Sequence, residues 1–218
     1  MTVSTNGFVA CDLPEELTSA LEKRFLETGS PKNLTYFYAA GQGNRDGSGA
    51  DHFAHEGMTS TVIAGHYNMA PKLGELIMQN KIKAYNLPQG TLSQLYRDIA
   101  AKKLGTLTHV GLYTFADPRV DLVEVVNICG EERLLYKAIH VDVALIRATY
   151  ADEYGNITME HECCTAEATA IAQAAKNCGG KVIVQVEKVV TDVDPKLVKV
   201  PGIYVDAVVV TENKENHT

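Results

Sequence analysis

AYNLPQGTLSQLYRDIAA, residues 84–101, reads as a strand, a tight turn and a helix in immediate succession. Ala84 to Leu87 is a short apolar run, Pro88-Gln89-Gly90 interrupts it, and Thr91 to Ala101 has helical length and an amphipathic pattern. A strand that passes straight into a helix is half of a βα unit. Repeated units of this kind build a mostly parallel sheet with helices on both faces.

The same alternation runs outward in both directions. Upstream, LTYFYAA (residues 34–40) is a buried strand leading into the glycine-rich loop GQGNRDGSGADHF (41–53). Thr61 to Ala64 is another strand and Ala70 to Gln79 a helix. The first helix follows a turn from Val9 to Pro14. Its apolar residues Leu13, Leu17, Ala20, Leu21 and Phe25 share one face. Asp12 with Glu15 three residues on makes a capping-box pattern, and Gly29 and Pro31 end the helix. Downstream, Thr108 to Phe115 reads as strand or loop and ends at Asp117-Pro118-Arg119. Leu122 to Ile128 and Arg133 to Lys137 flank Cys129-Gly130-Glu131-Glu132, which predicts a small β-hairpin insertion around 122–137. Val141 to Thr149 resumes the core, and Asp152 to Asn156 is a turn. Thr165 to Asn177 is a helix stopped by Gly179-Gly180, and Lys181 to Val189 and Ile203 to Val210 are the last strands. This predicts one α/β domain over 1–210. The polar stretch 211–218 (TENKENHT) is expected to fray and to begin a linker.

Composition narrows the function. The 218 residues suffice to bury a core, and no apolar run approaches the roughly 20 residues of a membrane-spanning helix. Twenty basic against 27 acidic side chains leave a net charge of −7, which disfavours a nucleic-acid partner. Met1 to Phe8 has neither the basic nor the apolar segment of a secretory signal. Five cysteines without a Cys-x-x-Cys pair fit a reducing cytoplasm.

The loop at Gly41 lacks dinucleotide-fingerprint spacing, and no Gly-Lys-Ser/Thr is present. His52 and His55 read as hydrogen-bonded loop histidines, and Cys163 and Cys164 as small apolar residues. No metal site is expected. Asn86, Gln89 and Gly90 stand at the carboxyl end of a parallel strand, where open α/β sheets bind ligands. There Gln89 can present an amide, or the turn can be a plain βα connection. Asn6-Gly7-Phe8, Gly41 and the segment from Gly111 offer further glycine-flanked backbone. Such surfaces suit an acyl or thioester group and an oxyanion.

Seven stretches carry a wider likeness: GFVACDLPEELTSALEKRFLETGSPKNLTYFYAAGQG (7–43), HFAHEGM (52–58), AYNLPQGTLSQLYRDIAAKKLGTLTHVGL (84–112), FADPR (115–119), DVALIRATYADEYGNITMEHE (142–162), GGKVIVQVEKV (179–189) and VPGIYVDAVVV (200–210). In these the sequence resembles the N-terminal, alpha-type half of class I coenzyme A transferases, especially the single-chain propionate and short-chain acyl-CoA enzymes. The resemblance implies a NagB/RpiA/CoA-transferase fold. It implies ping-pong transfer of CoA from an acyl-CoA to a carboxylate through a glutamyl-CoA thioester. The glutamate of such enzymes lies on a beta-type half, so no catalytic residue is expected in this chain, and Glu56 is not a candidate. Gln89 matches the glutamine beside the nucleophile, and Gly7-Phe8 the glycine-phenylalanine signature. Asn6 replaces a small residue, and Asp12-Leu13-Pro14 stands where Gly-x-Pro is usual. CoA would be a substrate rather than a tightly bound cofactor. The expected partner is a beta half, as a separate subunit or the rest of a longer chain, within an oligomer. A non-catalytic ligand-binding or scaffold domain, or a sugar-phosphate isomerase, are the alternatives on this fold.

Overall fold

A computed structural model describes residues 1–116 and 121–217. In chain order the elements are β1 (Thr2–Thr5), α1 (Glu15–Thr28), β2 (Leu34–Phe37), β3 (Thr59–Ala64), α2 (Pro71–Met78), β4 (Lys83–Asn86), α3 (Gln89–Ala100), β5 (Gly105–Thr108), β6 (Val123–Ile128), β7 (Glu131–Lys137), β8 (Val143–Arg147), β9 (Tyr150–Asp152), β10 (Ile157–Thr158), α4 (Ala168–Asn177), β11 (Lys181–Val186), β12 (Lys188–Val190), β13 (Val198–Val200) and β14 (Ala207–Val210). Seven strands in the order β14-β11-β8-β1-β2-β3-β4 form one sheet, and every neighbouring pair is parallel.

The pleat of β2 explains the two faces. Successive side chains point to opposite sides of a strand. Leu34, Tyr36 and Tyr38 therefore join the cluster that packs against Leu17, Leu21 and Phe25 of α1 and Leu73 of α2. Phe37 and Ala39 join the opposite cluster, with Leu92, Leu95, Tyr96 and Ile99 of α3 and the alanines of α4. Helices thus cover both faces, as expected. The hairpin also forms, and β5 joins it in an antiparallel sheet of order β5-β7-β6.

Four features depart from expectation. The strand in the 108–115 region lies earlier, at Gly105–Thr108, because it pairs with Leu134 to Lys137 of β7; the residues after it form turns. A four-stranded sheet of order β12-β9-β10-β13 appears from strands of two or three residues, too short for periodicity to show. Asp12 does not cap α1: Pro14 occupies the cap position, and its carbonyl accepts from the Leu17 and Thr18 amides. Asp12 turns instead toward residues 163–164, and Glu15 toward the 49–52 segment. The tail does not fray over 211–217. Lys214–His217 form a single 3-10 turn. The Gln185 amide donates to the Asn216 carbonyl at 2.7 Å, and the Arg147 guanidinium donates to the His217 carbonyl at 3.2 Å. Asp117, Pro118 and Arg119 lie outside the described residues.

Candidate active site

From β1 the chain builds the sheet outward through β2, β3 and β4, then returns to add β8, β11 and β14 on the other side. The strand order reverses between β1 and β8. In open parallel sheets the ligand crevice lies outside the carboxyl ends of the strands at such a reversal.

Asn6 closes that point. Its amide donates to the Arg147 carbonyl at 3.1 Å and accepts from the Arg147 amide at 2.8 Å, tying β1 to β8. Gly7 then turns the chain at φ 128°, a region that favours glycine. A Cβ there would sit 2.7 Å from Leu13 Cδ2. Phe8 and Cys11 exchange two backbone hydrogen bonds of 2.9 Å, which leaves the Phe8 ring half-exposed at the rim. The Val9 amide donates to the Gly41 carbonyl at 2.8 Å, so the loops after β1 and β2 are locked together. Gly41 is covered by the His66 imidazole: a Cβ would lie 2.1 Å from His66 Cε1. His66 Nδ1 is buried and makes no hydrogen bond among the described residues.

The β4–α3 turn adjoins this edge through Gly65. A Cβ on Gly65 would lie 2.5 Å from the Ala39 carbonyl oxygen and 2.9 Å from Gln89 Cβ, so β2, β3 and α3 meet there. The Asn86 amide donates to the Gly65 carbonyl at 2.5 Å and is committed to the fold. The Gln89 side chain is exposed and makes no hydrogen bond among the described residues. Gly90 faces open space. The first amides of a helix have no partner within it. Those of Thr91 and Leu92 turn to the Pro88 carbonyl, which leaves the amides of Gln89 and Gly90 available. A groove of about 290 Å³ runs from Gly90 to Val110. Gly111 stands beyond it in the turns after β5, its φ of 96° and the Tyr136 hydroxyl excluding any larger residue.

The residues singled out from the sequence therefore fall into three groups: Gly7, Phe8 and Gly41 together, Asn86, Gln89 and Gly90 beside them, and Gly111 across a groove. Sequence reasoning missed the polar network beneath. Gln42 is buried; its amide donates to the Asn6 carbonyl at 3.0 Å and accepts from Thr5 at 2.6 Å and Tyr36 at 2.8 Å. Glu162 is fully buried, with the Arg147 Nε 3.0 Å from one oxygen and the His217 Nε2 3.5 Å from the other. Burial would raise its pKa, but His217 and Arg147 outweigh that and hold it below the usual carboxylate range. Burial and the neighbouring Glu162 raise that of Asp12. The Cys163 thiol is pushed up to about 11, by its hydrogen bond with Cys11 and then by burial, so it is no ready nucleophile.

His52 and His55 lie on the opposite side of the Asp12 turn, against α1. His52 touches Glu22 at 2.6 Å through Nδ1 and Glu15 at 2.8 Å through Nε2, and His55 Nε2 touches Glu22 at 2.5 Å. Both rings are engaged by carboxylates, as hydrogen-bonded loop histidines should be.

Residues 1–211 match the coenzyme A transferase family. The chain belongs to that family. It is 42% identical over 226 residues to the caffeate CoA-transferase of Acetobacterium woodii, covering 98% of this chain and 43% of that protein. It superposes on the acyl-CoA transferase YdiF of Escherichia coli O157:H7, in its thioester complex with CoA, with a TM-score of 0.93 and 38% identity, over 96% of this chain and 46% of that one. A probable coenzyme A transferase alpha subunit from Bacillus subtilis is 28% identical over 156 residues, covering 70% of this chain and 64% of that subunit. This chain thus corresponds to the alpha-type half of the family and spans less than half the length of the longer relatives. Among the described residues, no helix is long and apolar enough to cross a membrane.

Proposed function

We propose that this chain is the alpha-type half of an acyl-CoA:carboxylate CoA-transferase acting on short-chain acids such as acetate, propionate or butyrate. The observation that carries the proposal is the superposition, over 96% of the chain, on a relative bound to CoA as a thioester. In this reading a glutamate on a beta-type half attacks the thioester carbonyl and CoA leaves as a thiolate. The acyl-glutamyl anhydride is opened by the CoA thiolate to give a glutamyl-CoA thioester and the free acid. The acceptor carboxylate then reverses the sequence.

This half contributes the cleft wall. The free amides of Gln89 and Gly90 and the Gln89 side chain supply donors for an oxyanion, while Gly7 and Gly41 let Leu13 and the His66 imidazole pack against the backbone that shapes the rim. The glutamates present here support a nucleophile elsewhere. Glu162 is sealed beneath Arg147 and His217. Glu56 precedes β3 at the amino end of the sheet and is paired with Lys81. CoA acts as a substrate, and the cytoplasm, where CoA and its acyl thioesters are used, is the expected setting.

The test is acetate-dependent acyl-CoA exchange by the purified chain, alone and with a beta half. Turnover is expected only in the combined sample. Robust turnover by the chain alone would overturn the division of labour. Failure with every cognate beta half would favour a ligand-binding domain on this fold.

A further inference from the structure

Two thiols and a buried carboxylate meet where the loop after β1 touches residues 161–164. Asp12 is 2% exposed and held in left-handed backbone at φ 59°. Its Oδ1 accepts the Cys163 backbone amide at 3.2 Å. Its Oδ2 lies 2.8 Å from Cys164 Sγ and 3.7 Å from Cys163 Sγ. Side chains of adjacent residues in extended chain point to opposite sides. Here the chain bends through 160–163, and both sulfurs turn toward one oxygen.

The two sulfurs and a carboxylate oxygen lie within 4.8 Å of one another. Zinc binds sulfur at about 2.3 Å and carboxylate oxygen at about 2.0–2.2 Å, so tetrahedral ligand atoms stand roughly 3.4–3.8 Å apart. The Asp12 Oδ2–Cys163 Sγ separation of 3.7 Å falls in that range, and the Asp12 Oδ2–Cys164 Sγ contact of 2.8 Å must open to reach it. Two sulfurs and one oxygen, with a fourth position left to water, form a soft donor set that selects thiophilic ions over magnesium or calcium.

We propose that Asp12, Cys163 and Cys164 bind a single thiophilic divalent cation, Zn²⁺ or an ion of similar softness. This departs from the metal-free expectation raised by the sequence, where Asp12 and the Cys163-Cys164 pair lie about 150 residues apart. Each coordinating thiol releases its proton to the buffer, and the ion takes the place of the S–H···O contacts. The ion would brace the loop bearing Gly7 and Phe8 against the segment bearing Glu162, stiffening the rim of the cleft without entering the transfer chemistry.

The test titrates the reduced, metal-stripped full chain with Zn²⁺ alone, and with Co²⁺ as a spectroscopic stand-in. One equivalent is expected to bind. Co²⁺ should give the thiolate charge-transfer and intense visible bands of a tetrahedral sulfur-rich site, and Zn²⁺ should bleach them. Cys163→Ser with Cys164→Ser should abolish these bands and weaken Zn²⁺ binding by more than the roughly 10–100-fold that losing a supporting partner of a metal ligand costs. Cys129→Ser, in the β6–β7 turn, should change nothing. Should the double variant fail to fold, Asp12→Asn serves, because it removes the carboxylate ligand while keeping an acceptor for the Cys163 amide, and it should shift the cobalt spectrum. Unchanged binding in the double variant or in Asp12→Asn overturns the proposal. So does a reduced wild-type chain that takes up no ion.

Discussion

The carboxyl ends of β1 and β8 and the turn between β4 and α3 lie along one edge of one sheet, but their polar groups are used differently. At β1 and β8 they are interlocked, turned on one another within the fold. Asn6 is bonded to Arg147, Gln42 to Thr5, Tyr36 and Asn6, and Glu162 lies between Arg147 and His217. At the turn, Gln89 is exposed and the Gln89 and Gly90 amides have no partner among the described residues. Buried polar groups are costly unless paired, so the first region must be complete before any ligand arrives. Donors in the second region lose water only when a ligand takes its place. The comparison separates residues that hold the cleft from residues that act in it, and substitutions should respect that separation.

The largest effect is expected at the interlocked end. Arg147→Met leaves the Glu162 carboxylate buried with its guanidinium partner gone. Breaking such a pair costs about 3–5 kcal/mol, which should show in chemical denaturation as a large loss of stability. Adding Glu162→Leu to Arg147→Met should restore most of it, because a buried ion pair can be replaced by apolar groups at little net cost. A single variant as stable as the wild type would mean that the charges are hydrated.

Gln89→Ala should do the reverse. With a beta half present, kcat/KM should fall roughly a hundred- to a thousand-fold, about 2.7–4 kcal/mol of transition-state stabilisation, while the melting temperature stays put. Gln89→Glu should also be poor, since it sets a negative charge beside the attacking carboxylate. A change in kcat/KM below about threefold, under 1 kcal/mol, would reduce Gln89 to a turn residue and erase the contrast between the two regions.

The two regions also differed in how much of them could be read beforehand. The strand–helix alternation, the two-faced burial of LTYFYAA and the hairpin all follow from local periodicity, and they formed. The turn at Asn86 to Gly90 was legible because proline and glycine mark it locally. The interlocked network was not. Arg147 and Glu162 look like ordinary charged residues, and Gln42 sits in a loop whose glycines draw the eye. Their roles arise from contacts between segments far apart in sequence: Asn6 with Arg147, Asp12 with Cys163, and Gln185 with Asn216. Asp12 shows the failure most plainly. Its spacing to Glu15 satisfies a capping box, yet a distant pair of cysteines holds its carboxylate instead.

Gly7 lies between the regions and tests whether they communicate. Gly7→Ala forces a side chain into φ 128° and against Leu13. Strain of this kind costs about 1–3 kcal/mol. At about 2–4 °C per kcal/mol for a chain of this size, a melting shift should be readily measured. KM for acyl-CoA should rise with it if the loop lines the cleft. An unchanged KM in a folded variant would make the turn purely structural.

The smallest effect expected is at His52, which fastens α1 to the loop after β2 and so supports the interlocked region from outside. Burial alone would lower the His52 pKa; its hydrogen bonds to Glu15 and Glu22 outweigh this and raise it above the ordinary 6.5. Burial alone would raise the Glu22 pKa; its bonds to His52 and His55 bring it below the ordinary 4.5. The signs fix a window. A group whose pKa rises on folding stabilises fully below its unfolded value, and that contribution is lost as pH climbs through the folded value. One whose pKa falls stabilises above its unfolded value and loses the contribution as pH drops through the folded value. The contact is therefore strongest between pH 4.5 and 6.5 and weakens on both sides. Its side chains are partly solvated, so its worth is set at about 1 kcal/mol, in keeping with screened ion pairs. His52→Gln keeps the shape and a hydrogen bond but removes the charge. Its melting temperature should fall below that of the wild type by a few degrees inside the window, and the two curves should converge as pH rises past the folded His52 value. Parallel curves from about pH 5 to 8, across the range in which histidine titrates, would show that His52 holds the loop by packing rather than by charge.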